Sequence, residues 1–159
     1  MARVVILFIY LILSIYGFGA CMLDYFGIYE PWKLVGETEF AAFHTFQGNR
    51  IIGIFVIPLA IATIFGLAAC LFPVKYVKKK WLWLSMLSMT MVWILSFTIQ
   101  IPIQFILNTR KDMQLINELL YTNWFRFAAD AFQVVFVLVI LWQLFQQHSK
   151  LLRTEARKY

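Results

Sequence analysis

Residues 51–72 read IIGIFVIPLAIATIFGLAACLF, a run without one charged side chain. At about 1.5 Å per residue, a helix of this length matches the roughly 30 Å hydrocarbon core of a bilayer. Three more such runs flank it: Val4 to Leu23 before, then Trp81 to Leu107 and Phe125 to Phe145 after. Arg126 and Asp130 are the only charges in the last of them. The chain is 62% hydrophobic and 14% charged, where soluble domains carry about 25% charged residues. Too few ionic groups exist to hydrate a water-exposed surface. The sequence therefore predicts an all-α fold, a four-transmembrane-helix bundle forming a single domain over residues 1–159, with spans at about 4–23, 51–72, 81–107 and 125–145. Pro58 and Pro102 fall inside spans two and three. Each removes a backbone donor, so each is expected to bend its helix while neighbouring groups take up the freed carbonyl.

Basic residues in short loops stay on the cytoplasmic side of a membrane. Arg3 precedes span one, Lys75, Lys78, Lys79 and Lys80 join spans two and three, and Lys150, Arg153, Arg157 and Lys158 follow span four. The other two loops hold most of the acidic residues, among them Glu30, Glu37, Glu39, Asp112 and Glu118. Both termini are expected in the cytoplasm. The net charge of +6 is thus a topology signal, and no nucleic-acid partner is expected. A cleaved leader ending before Cys21 is disfavoured by its long apolar run and by bulky Phe18; Gly17 and Gly19 are expected instead to allow close helix approach. Cys21 and Cys70 both fall in apolar stretches and read as buried thiols.

The outer loops are too polar to face lipid throughout. Residues 37–47 lack Pro and Gly and are expected to form an amphipathic helix running into span two. In 108–123, Met113, Ile116, Leu119 and Leu120 recur at helical spacing and predict a short helix at the outer interface.

The sparse polar residues converge on one outer layer. Ser96, Gln100 and Gln104 recur every four residues on span three; Asn123, Arg126 and Asp130 share a face at the outer end of span four; His44 and Gln47 lie in the approach to span two. Charges at this depth cost several kcal/mol unless paired or hydrated, so these side chains should turn into the bundle. One reading is structural, with Arg126 and Asp130 as an i,i+4 ion pair and the glutamines as interhelical hydrogen bonds. The other is a pocket, with His44, Arg126 and Asp130 as catalytic candidates and Gln47, Gln100, Gln104 and Asn123 as ligand-binding candidates. There is no zinc, haem or phosphate-loop motif; no metal site is expected, and no cofactor is assigned.

Phe43-His44, the stretch Thr98-Ile99-Gln100-Ile101-Pro102-Ile103-Gln104 and Thr122-Asn123-Trp124-Phe125-Arg126, set in four spans of this order, resemble small bacterial four-helix membrane proteins related to the anthrone-oxygenase-like family. The resemblance covers nearly the whole chain and implies a place in the bacterial cytoplasmic (inner) membrane. Two departures matter. Gln104 stands where Asn is usual after Pro-Ile, and the fourth-span motif lacks its His, so an activity using that His does not carry over.

Two functions follow as expectations. The first is a membrane-embedded small-molecule or lipid-binding protein, extending to a cofactor-poor oxygenase or other redox enzyme for an aromatic, quinone-like or lipid-soluble substrate at the outer leaflet. His44 would then be the general base and Arg126 the group that stabilises an oxyanion. The second is a non-enzymatic subunit that binds lipid or assembles with itself or a membrane partner.

Overall fold

The computed structural model describes residues 1–156, apart from the side chain of residue 155. Arg157 and Lys158, two of the basic residues used for orientation, lie outside the described residues. Four long helices make up most of the described residues: α1 (Ala2–Leu34), α2 (Glu37–Leu71), α3 (Lys79–Leu107) and α4 (Met113–Ala156). All four are long and apolar enough to cross a membrane. The helix expected over residues 37–47 does run into span two, within α2, whereas the short helix expected over 108–123 is the start of α4 rather than a separate element, and α1 runs on past Leu23 to Leu34. At 33 residues, α1 is roughly 50 Å long, so it overshoots a 30 Å hydrocarbon core.

Three helices are not regular throughout. A wide π turn occupies Asp24–Tyr29 in α1, Ile52–Val56 in α2 and Ser96–Gln100 in α3. Each ends two residues before a proline: Pro31, Pro58 and Pro102. The cause is local. A proline ring clashes with the carbonyl four residues back and offers no N–H to bond it, and a widened turn relieves that clash. For Pro58 the freed carbonyl is that of Ile54, and the Tyr16 hydroxyl of α1 donates to it at 2.8 Å.

Neighbours in space follow chain order: α1 packs on α2, α3 packs on α4, and α4 closes the ring against α1. α2 and α3 touch mainly through the halves next to the loop that joins them, Ile57–Leu71 against Lys79–Leu95; inner denotes that end of the bundle, which also carries the chain's first residues, and outer the opposite end. Along every helix the buried positions pass through three layers. An inner apolar core gathers Leu7, Tyr10, Leu59, Leu82, Met89 and Ile140; an outer one gathers Trp32, Phe40, Leu107, Ile116 and Leu119. Between them the buried side chains are polar. Gly66 is held close against two neighbouring helices: an added Cβ would meet Met86 Sδ and lie 2.7 Å from the Tyr10 ring. Gly17 and Gly19, expected to serve that purpose, have nothing within 4 Å of an added Cβ. Cys21 and Cys70 are buried free thiols. Large apolar side chains such as Phe8, Ile64, Leu87 and Phe132 are exposed on the outside of the bundle.

Candidate functional site

The polar layer is built by helical spacing. On α4, Asn123, Arg126, Asp130 and Gln133 succeed one another at three- and four-residue steps and are all buried. On α1, Tyr10, Ser14, Gly17, Cys21 and Asp24 follow the same steps, so Asp24 closes a buried stripe rather than opening a solvated loop. Ser96 and Gln100 mark the two ends of the π turn of α3.

Arg126 is 3% exposed, and its ion pair is with Asp24 of α1, Nη2 to Oδ2 at 3.3 Å. The i,i+4 partner expected from the sequence, Asp130, does not make that bridge. Arg126 also lies 5.1 Å from the centre of the Phe55 ring, a cation–π contact from α2. Asp130 is equally buried, but its Oδ2 has no hydrogen-bond partner.

In front of this pair lies a cavity of about 450 Å³. Asp24, Tyr29 and Arg126 form its back wall, Leu59 and Trp93 its inner end, and His44, Gln104 and Asn108 its outer end. All three π turns reach it, through Asp24 and Tyr29, Ile52 and Phe55, and Ser96 and Gln100. Its rim carries the exposed residues Thr45, Asn49 and Ile52 of α2 and Phe97 and Phe105 of α3. The opening is therefore sideways, between the outer halves of α2 and α3, where those helices part. A second groove of about 590 Å³ on the inner half of the same seam is walled by apolar residues such as Leu67, Leu84 and Leu87 and holds none of the buried polar layer.

Three wall residues carry buried polar atoms without a partner among the described residues: Ser96 Oγ, Gln100 Oε1 and Arg126 Nε. Buried polar groups are normally paired, so these three, which belong to wall residues but are closed off from the open space, are exceptions. At the outer end, His44 is held from both sides: Nε2 lies 2.7 Å from Gln104 Oε1 and Nδ1 2.8 Å from Asn108 Oδ1. A neutral imidazole donates from one nitrogen and accepts at the other, so one of the two amides turns its NH2 to the ring. Phe40 stacks on the imidazole, and Trp32 packs against it.

Of the residues singled out in the sequence, His44, Gln100, Gln104 and Arg126 come together on this cavity. Asp130 is buried deeper and is not on its wall. Gln47 faces α1, where it accepts from Trp32 Nε1. Asn123 lines a small separate crevice with Trp124 and Phe127, and its Oδ1 is unpartnered. Sequence reading missed Asp24, Tyr29, Phe55 and Asn108. For Asp24 the signal was present: it continues the small and polar stripe of α1 in register. Among the described residues, no group of three or more His, Cys, Asp or Glu side chains is placed to hold a metal ion. No family model, curated protein or solved structure matches the chain.

Proposed function

We propose that this chain is an integral protein of the bacterial cytoplasmic membrane, with both termini inside, that takes a lipid-soluble small molecule into its outer-half cavity through the gap between α2 and α3. The observation that carries the reading is a laterally open cavity of about 450 Å³ whose wall brings together Asp24, His44, Gln100, Gln104 and Arg126 with apolar side chains. A cluster serving only to hold helices together would be closed, with its donors and acceptors spent on one another. Here Asp24, His44, Gln104 and Arg126 stand instead on the wall of an open space of ligand size. Apolar walls from Phe55, Trp93 and Phe97 suit an aromatic, quinone-like or acyl body. The cytoplasmic placement of the termini rests on the Lys75–Lys80 segment and the basic C-terminal stretch.

Within this proposal, binding is favoured over oxygenase or other redox turnover. The base assigned to such a reaction is His44, and both of its ring nitrogens already engage amides. Proton abstraction would require it to release one of them, whereas binding requires no rearrangement. The likeness to the anthrone-oxygenase-like group enters here only as support for a four-span architecture.

Gly48 stands on the cavity wall, and a Cβ added there meets nothing within 4 Å. Gly48→Leu should therefore fill the cavity without disturbing the fold. Thermal melting of the full-length chain in detergent, with and without added membrane-lipid extract, tests the reading. Stabilisation by the extract is expected in the natural protein and should vanish in Gly48→Leu. Equal stabilisation of both would defeat it.

A further inference from the structure

Resting on that binding reading, we infer that the cavity is a bore for one hydrocarbon chain. Its ligand class is a single-chain amphiphile of the outer leaflet, held with its polar head at the outer end and its chain tip against Leu59 and Trp93. The inference comes from the length, the width and the graded polarity of the wall.

Length is set by the two helices that flank the gap. The wall runs from His44 to Leu59 on α2 and from Asn108 to Trp93 on α3, the same number of residues on each. At about 1.5 Å per residue this is roughly 20 Å along the helices. Spread over that length, the cavity of about 450 Å³ is a bore about 5 Å across. Extended chains lie side by side at nearly that spacing, about 4.8 Å. One hydrocarbon chain therefore fills the bore, and the paired chains of a bilayer phospholipid do not enter together.

Polarity changes along the bore. His44, Gln104 and Asn108 close its outer end, with Thr45 and Asn49 on the rim beside them. Val56, Leu59, Trp93 and Phe97 surround the inner end, where the Ser96 hydroxyl is closed off from the open space. Partway down, Asp24 and Arg126 are bridged to each other, and the guanidinium lies 5.1 Å from the Phe55 ring. Their charges thus answer one another rather than an occupant. This grading matches an outer-leaflet amphiphile, whose head stays in the interfacial layer while its chain points to the bilayer centre. The gap between α2 and α3 lets such a chain enter sideways without crossing water.

The length also sets a size. An extended chain advances about 1.2 Å per bond, so the bore takes about 17 bonds, head included. A glycerol ester head uses about five of them, which leaves room for an acyl chain of about twelve carbons.

The test uses monoacylglycerols of eight to twenty carbons, added to the full-length chain in a sterol-based detergent whose fused rings are too wide for the bore. The half-saturating amount for the melting shift is read as a mole fraction of the micelle, so that ordinary partitioning cancels. The twelve-carbon ester should bind about tenfold tighter than the eight-carbon one, which leaves the inner end a void. The twenty-carbon ester should bind no tighter than the twelve-carbon one. Val56→Phe, which fills the inner end, should move the optimum to shorter chains, and Trp93→Leu, which deepens it, to longer ones. Bromine at the chain tip should quench Trp93 fluorescence, read as the difference between the natural protein and Trp93→Phe, whereas bromine beside the head should not. Four results would each overturn the inference: no optimum in chain length, an optimum that neither variant moves, quenching from the head end, or tighter binding of a tail-less naphthoquinone than of any ester. If no ester shifts the melt while lipid extract still does so in a Gly48-dependent way, the single-chain bore falls and the binding reading stands. If extract and esters all fail, both fall.

Discussion

Arg126 on α4 is bridged to Asp24 on α1 at 3.3 Å, with both side chains buried. The two lie 102 residues apart in sequence, and their contact closes the first helix against the last beside the cavity. In a low-dielectric interior, removing one member of such a pair strands the other charge. Asp24→Asn should therefore destabilise the bundle by about 3 kcal/mol, measured by chemical unfolding in detergent. Asp130→Asn should cost clearly less, since Asp130 makes no ion pair with Arg126. The double variant Asp24→Asn with Arg126→Gln should be milder than the sum of its parts. A larger loss from Asp130→Asn than from Asp24→Asn would contradict the assigned pairing.

His44 ties the outer end of α2 to that of α3 through Gln104 and Asn108. Because those helices otherwise part there, His44→Ala should widen the gap. Spin labels at Phe46 and Phe105, both exposed, should report a longer and broader distance distribution in His44→Ala, while helix content stays unchanged. An unaltered distribution would mean that the tie does not hold the seam.

Tyr16→Phe removes the hydroxyl that donates to the Ile54 carbonyl that Pro58 leaves free. A loss of about 1 kcal/mol is expected. Restoring an N–H with Pro58→Ala in the Tyr16→Phe background should recover part of it. No recovery would show that the hydroxyl acts by something other than satisfying that carbonyl.

Gly66→Ala places a methyl group against Met86 and the Tyr10 ring. Met86 can yield, but the Tyr10 hydroxyl is held by Ser85 at 2.6 Å. The variant should lose about 1–3 kcal/mol. Gly19→Ala, which meets nothing within 4 Å, should be neutral or slightly stabilising, since alanine favours helix.

Topology is tested by single-cysteine labelling in intact cells, with Cys21 and Cys70 first replaced by Ser. Labels at Glu30 and Leu115 should react with an impermeant reagent from outside, and labels at the exposed Tyr76 and at Lys150 only after lysis. Any one of the four on the opposite side would break the inside placement of both termini.

The four helices and the polar layer were legible in the sequence by itself, because both are local properties. An apolar run long enough to cross a bilayer needs no partner to be recognised. Gln100, Gln104 and Arg126 likewise share a layer through the period of the helices that carry them. Which groups pair across the bundle was not legible. The spacing of Arg126 and Asp130 satisfies the i,i+4 rule, yet Asp24 makes the bridge, because the packing of α1 on α4 brings its carboxylate to the guanidinium. The same holds for the close approach at Gly66 rather than at Gly17 or Gly19. The cavity also depends on arrangement: prolines two residues beyond three π turns are visible in the chain, but only the packed bundle brings those turns around one space. Helix period is set by the backbone and is written along the chain. Rotation and depth of each helix against its neighbours are set by the fit of many side chains at once, so only the tertiary structure decided them.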